Sequence, residues 1–124
     1  MREINELSGQ VIGAAIEVHK ALGPGLLEST YEECLCHELS LMKVPFERQK
    51  QIPVVYKDVQ LDCGYRIDVL VAGRLILELK ACDRLEPIHD AQLLTYLKLT
   101  GIKHGLLINF NSVLLKDGIK RLAH

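Results

Sequence analysis

The sequence predicts an α/β chain of the α+β variety, with a small central mixed sheet of about four or five strands flanked by helices, two of them at the N-terminus. Three observations carry that expectation. Apolar residues recur at three- and four-residue steps through the N-terminal third. Shorter alternating runs broken by turn residues follow between Phe46 and Ala81. A strand, helix, strand order then leads to the tail. With 124 residues, 48% hydrophobic and 25% charged, the chain can bury an aliphatic core as one domain without disulfides or a structural metal.

Charge and cysteine usage narrow the function classes. Fifteen Lys and Arg against sixteen Asp and Glu leave a formal charge of -1, so a nucleic-acid partner would need a local basic surface. No apolar run approaches the roughly eighteen residues needed to span a bilayer, and MREINELSGQ lacks the regions of a signal peptide, so a cytoplasmic location without membrane contact is expected. Cys34, Cys36, Cys63 and Cys82 include no CxxC pair, and the expectation is reduced, mostly packed thiols rather than zinc ligands.

Taken in order, Ile4, Leu7, Val11, Ala14, Ala15, Val18 and Leu22 give the stripe of a first helix over Ile4–Leu22. His19 near its end is either a ligand or a side chain favoured by the negative helix terminus. Gly23-Pro24-Gly25 breaks the helix. Leu27, Tyr31, Leu35, Leu39 and Met42 mark a second helix from about Leu26 to Lys43. Glu28 and Glu32 share one face of it, where a metal or a basic side chain from elsewhere would relieve their repulsion.

Phe46 to Val55 reads as a strand with a break at Pro53, and Lys57-Asp58 as a hairpin turn. Gly64–Val71 and Leu75–Ala81, joined by Ala72-Gly73-Arg74, should pair antiparallel. A third helix over Ile88–Thr100, with Ala91, Leu94, Tyr96, Leu97 and Leu99 as apolar members, ends at Gly101. His104–Phe110 is a buried strand that a right-handed crossover places parallel to Leu75–Ala81. The tail Val113–Leu122 suits a short strand or a helix equally.

Within this frame Glu78 and Lys80 point to the same face of their strand, and Asp68 sits among Ile67, Val69 and Leu70, where an unpaired carboxylate is costly. Two carboxylates suit Mg²⁺ or Mn²⁺, hard ions that prefer oxygen, and Lys80 could orient a water or stabilise charge on a phosphoryl transition state. The bland alternative is a same-face ion pair at a sheet edge, worth little in stability.

Asp68 followed by Glu78-Leu79-Lys80 resembles the signature of the PD-(D/E)xK nuclease superfamily. Gly64 to Asp68, and Gln92 with Tyr96, are similar to the glycine-then-aspartate strand and the Gln-x-x-x-Tyr helix of its RecB-type branch. Gly25-Leu26-Leu27-Glu28-Ser29-Thr30-Tyr31 resembles the motif that names the GxxExxY proteins of that superfamily. The superfamily's Pro-Asp pair is absent, because Ile67 precedes Asp68.

The resemblance implies a restriction-endonuclease-like core in one nuclease-like domain over 1–124. It implies a metal-dependent nuclease with Glu28, Asp68 and Glu78 on Mg²⁺ or Mn²⁺, Lys80 at the water, and Gln92 and Tyr96 placing Lys80 or the phosphate. Glu28, Gln92 and Tyr96 should then converge on Asp68, Glu78 and Lys80. The implied partner is nucleic acid, DNA before RNA, and a homodimer stands open beside it. The alternative function is a noncatalytic nucleic-acid or protein-binding module that keeps the fold. Lys43, Arg48 and Lys50, or the tail's Lys116, Lys120 and Arg121, would then supply phosphate contacts. The cysteines do not stand where iron-sulfur members of the branch carry theirs, and no cluster is expected.

Overall fold

A computed structural model describes residues 3–124; the first two residues of the expected 1–124 span lie outside it. Helix α1 (Ile4–Leu22) buries Leu7, Val11, Ala14, Ala15 and Val18, the spacing read from sequence. It stops at Gly23, whose φ of 69° is open to glycine, and whose N–H donates to His19 O at 2.7 Å. Helix α2 (Glu28–Leu41) is shorter than the expected Leu26–Lys43. Leu27, assigned to its apolar stripe by spacing, is the N-cap residue instead and 73% exposed.

Tyr31 explains the turn between these helices. Its hydroxyl donates to Gly23 O at 2.6 Å and accepts from Leu26 N–H at 3.1 Å. Its ring stacks on Phe110, with centroids 4.5 Å apart and planes at 7°. One buried side chain therefore closes the Gly-Pro-Gly loop and fastens it to the far end of the chain.

Strands β1 (Phe46–Tyr56) and β2 (Val59–Val71) form a long antiparallel ribbon around Lys57 and Asp58, both at positive φ as a tight hairpin turn requires. The ladder shifts register between Ile52 and Val54, where Pro53 has no N–H to give. Strand β2 begins at Val59 rather than the expected Gly64, and its outer half is exposed, Cys63 included. Only Cys36 is buried, so the expectation of mostly packed thiols fails: Cys63 rides the solvated ribbon, and Cys34 and Cys82 are half-buried. Burial pushes the Cys36 thiol up to about 11.

Strand β3 (Leu75–Lys80) pairs antiparallel with β2, and β4 (His104–Asn109) pairs parallel with β3 after the crossover through helix α3 (Pro87–Thr100). The α3 N-terminus is a reciprocal cap: His89 N–H donates to Glu86, and the His89 ring accepts from Glu86 N–H at 2.9 Å. The tail, ambiguous in sequence, is a 3-10 turn (Leu115–Gly118) and strand β5 (Ile119–Ala123), antiparallel to β4. The five strands run in chain order across one mixed sheet.

The sheet separates two cores. Toward α1 and α2 lie Val69, Val71, Leu75, Leu77, Leu79, Leu106 and Ile108; toward α3 lie Ile52, Ile67, Leu70, Ile76 and Leu107. Each buried aliphatic side chain contributes about 1.5–3 kcal/mol. Leu93, omitted from the expected α3 stripe, is fully buried there, while Ala91 and Leu99 are exposed. The parity of β2 changes along its length: Ile67 packs on the α3 side, and Val69, two residues on, packs on the other. The β1–β2 ladder skips the Gln49/Asp68 position between these two residues, and Gln49 has a φ of 51°. Asp68 therefore stands where the strand turns over.

Candidate active site

Asp68, inside β2, and Glu78, near the C-terminal end of β3, come together. The Asp68 carboxylate accepts from Leu79 N–H at 2.8 Å, and a Glu78 oxygen lies 3.5 Å from the Asp68 backbone nitrogen. Glu78 is only 4% exposed. Burial, then the neighbouring Asp68 charge, pushes its carboxyl up to about 8, against the opposing pull of Lys80. Asp68 is raised too, by burial first, with the Leu79 N–H holding it down in part and Glu32 and Glu28 adding to the rise.

Lys80, two residues beyond Glu78 on β3, reaches Gln92 Oε1 with its Nζ at 3.4 Å. Gln92 in turn donates from Nε2 to the Tyr96 hydroxyl at 3.1 Å. The one-turn spacing of Gln92 and Tyr96 on α3 makes this relay possible. Tyr96 is raised by burial and next by the charge of Glu78, which places its ring within the field of the acidic pair. Of the three side chains expected to converge on Asp68, Glu78 and Lys80, Gln92 meets Lys80 directly and Tyr96 reaches it only through Gln92.

Glu28 remains at the margin. It is the first residue of α2, exposed, and acts on Asp68 and Glu78 through its charge. Among the described residues, no group of three His, Cys, Asp or Glu side chains is spaced to share a metal ion. The pair Asp68 and Glu78 nevertheless has the donor chemistry of a hard-cation site, with carboxylate oxygens only. Both are driven toward the neutral acid by burial and by acidic neighbours, and a divalent cation beside them would remove that penalty.

Two partners at the site escaped sequence reasoning: the basic side chain expected near Glu32, which the sequence left unidentified, and the one that holds Cys82. Glu32, 7% exposed, accepts from Arg48 Nε and Nη2 at 3.0 and 2.8 Å and from Gln49 Nε2 at 2.7 Å. Arg48 is the basic side chain that relieves the crowding of Glu28 and Glu32, and it also reaches Glu33 at 3.0 Å. Asn109, 3% exposed at the end of β4, holds Cys82 by both backbone groups, its Oδ1 accepting at 3.1 Å and its Nδ2 donating at 2.9 Å. With Phe110 N–H bonded to Lys80 O at 2.9 Å, this clamp fixes the chain on leaving Lys80. A polar residue closing the apolar run GLLINF was its visible trace.

Three of the basic residues considered for phosphate contact are engaged by acids. Arg48 is engaged with Glu32 and Glu33, and Lys50 with Glu47 at 3.1 Å. Lys120 pairs with Asp90 at 3.1 Å, while its neighbour Arg121 reaches Ser8 on α1 from the other face of β5. Lys43 is exposed just past α2, and Lys116 is exposed in the 3-10 turn. His19 resolves toward the structural reading, its Nε2 lying 2.7 Å from Ser112 O.

A five-strand mixed sheet with a pair of acids and a lysine on adjacent antiparallel strands, backed by helices on both faces, is a restriction-endonuclease-like α+β fold. Residues 5–122 match the family model of the PD-(D/E)XK nuclease superfamily, and the chain belongs to that superfamily. Its members act on nucleic acid, typically with divalent metal ions. No curated protein and no solved structure matches the chain. No helix among the described residues is long and apolar enough to cross a membrane.

Proposed function

We propose that this chain is a divalent-metal-dependent phosphodiesterase acting on DNA, of the RecB-type branch and the GxxExxY group within it, built as one nuclease-like domain. The observation that carries the reading is the Asp68–Glu78 pair with the Lys80 charge acting on both acids, and Lys80 bonded in turn through Gln92 to Tyr96. Asp68 and Glu78 would hold Mg²⁺ or Mn²⁺, with Glu28 approaching from α2. Such an ion supplies charge that polarises the phosphate and acidifies water.

The chain's own groups do the rest. Lys80, held by Gln92 Oε1, presents its ammonium where negative charge accumulates on the phosphoryl oxygens and orients the attacking water. The water oxygen bonds to phosphorus as the ester P–O bond opposite it breaks, the water giving up its proton to bulk solvent and the departing ester oxygen taking one from it. Tyr96 accepts from Gln92 and so keeps its own proton to donate toward a phosphate oxygen. The Asn109 clamp holds Lys80 against recoil of the loop that follows it.

The test is a panel of single-stranded, duplex and branched DNA with Mg²⁺ and Mn²⁺, with Lys80→Ala as control and calorimetry of Mn²⁺ binding alongside. Wild type should cut at least one form and Lys80→Ala none. Mn²⁺ binding that is absent in wild type, or unchanged in Asp68→Ala with Glu78→Ala, defeats the metal site. A second reading, binding without cutting, draws on the exposed position of Glu28 outside the acidic pair; it gains if wild type binds every form and cuts none.

A further inference from the structure

Beside the candidate site lies a cleft of about 480 Å³ that the proposed chemistry does not use. One face of α3 forms its floor, with Ile88, Gln92, Tyr96 and Leu99 in line at helical spacing, and Val54 and Tyr65 of the β1–β2 ribbon form its wall. Gln92 and Tyr96 belong to both places, so the cleft begins where the relay from Lys80 ends. Its volume falls within the roughly 300–1,000 Å³ of small-molecule pockets.

The lining combines apolar faces with polar edges. The Tyr65 ring is 48% exposed and stands 6.2 Å from Tyr96 at 57°, so the two rings are tilted rather than stacked and a face of Tyr65 stays open to a guest. Ile88 is 69% exposed, a large aliphatic surface with no cover from the chain. Polar groups are few: the Gln92 amide and Tyr96 hydroxyl, bonded to each other, and the side chains of Thr95 and His89. The His89 Nδ1 accepts from Glu86 N–H, so its ring proton sits on Nε2.

A flat group with apolar faces and hydrogen-bonding edges, attached to a phosphate held at Lys80, meets that description. We infer that the cleft formed by Val54, Tyr65, Ile88, Gln92, Tyr96 and Leu99 binds an unpaired nucleobase next to the phosphate at Lys80, making single-stranded DNA the preferred substrate. This rests on the nuclease reading for the position of the phosphate. A duplex could fill the cleft only by unpairing and unstacking the base, whereas a single strand offers it freely.

The experiment is fluorescence anisotropy of a labelled single-stranded DNA oligonucleotide, and of its duplex, at low salt with chelator present so that nothing is cut. Wild type should bind the single strand more tightly than the duplex. Tyr65→Ala should weaken single-strand binding about tenfold, the scale of one base–aromatic stack, and leave duplex binding unchanged. Ile88→Ser, at a still more exposed position, should weaken it severalfold in the same direction. An abasic site opposite the cleft should cost wild type as much as Tyr65→Ala does, and cost that variant nothing further.

Single-strand binding equal to wild type in both variants, or wild-type preference for duplex, overturns the inference. So does a change in self-association of Tyr65→Ala with strand binding intact, which would make the cleft a contact between copies. Failures separate cleanly. Cleavage by wild type with unaltered binding by Tyr65→Ala removes the base site and keeps the nuclease; loss of binding in Tyr65→Ala with no Mn²⁺-dependent cleavage by wild type does the reverse.

Discussion

Replacing Glu78 with Gln should make the metal-free protein more stable, by a margin that grows as pH rises from about 4.5 to about 8. In the fold the Glu78 carboxyl is raised from 4.5 to about 8 by burial and by Asp68. Below about pH 4.5 the group is neutral both folded and unfolded, and its stability contribution is fully present. As pH rises the unfolded chain ionises first and releases a proton that the folded chain keeps, so stability falls until about pH 8 and then levels off. At 1.36 kcal/mol per unit the loss amounts to roughly 5 kcal/mol, a large share of a small domain's total. Gln has nearly the same shape and no charge, so Glu78→Gln should lose this slope and exceed wild type by about 3–5 kcal/mol near pH 8.5. Urea unfolding of both proteins in chelator, at steps from pH 4.5 to 8.5, reads the difference directly. A flat wild-type profile, or a variant less stable than wild type at pH 8.5, would refute the reasoning.

Arg48→Ala should destabilise by about 3–5 kcal/mol, because it strands Glu32 in a buried site; Arg48→Met with Glu32→Leu should recover most of that in urea midpoints. Gly118→Ala should cost about 1–3 kcal/mol in the same assay, since its Cβ would meet Ser112 Oγ and lie 2.5 Å from the Asn109 carbonyl oxygen, which belongs to backbone and cannot swing away. Gly105→Ala should cost less, as its Cβ meets only the Leu93 side chain, 3.0 Å at nearest. Tyr31→Phe keeps the stack on Phe110 and loses two hydrogen bonds of the Gly23–Leu26 turn; about 1–2 kcal/mol of stability should go with them, with faster amide exchange at Leu26.

The three helices were legible because each carries an apolar stripe with a Gly or Pro boundary, and the β3–α3–β4 crossover followed from chirality alone. Leu93 was hidden because its neighbour Leu94 suits a stripe with Leu97 equally well by spacing, and the core with Ile76 and Leu107 buries Leu93 fully and Leu94 only in part. The tail could not be read because Ile119–Ala123 is too short to show a period, and it is a strand by virtue of the β4 edge it pairs with. In the site, Asp68, Glu78, Lys80, Gln92 and Tyr96 sit within two local spacings and an order along the chain, so sequence could suggest them together. Glu32 with Arg48, and Asn109 with Cys82, are partners sixteen and twenty-seven residues apart joined only by the fold. No spacing rule reaches that far.

The turnover of β2 at Asp68 gives the strand two phases, one keyed to each core. A residue added near the Lys57–Asp58 tip merely lengthens a solvated arm. A residue added between Asp68 and Val71 would transpose every side chain that follows, sending Val69 and Val71 toward α3 and Leu70 toward α1. Length variation in this part of the superfamily should therefore collect at the ribbon tip and vanish across Asp68–Glu78. The acid sits at a joint of the strand that belongs to neither layer, which leaves its carboxylate available to chemistry rather than to packing.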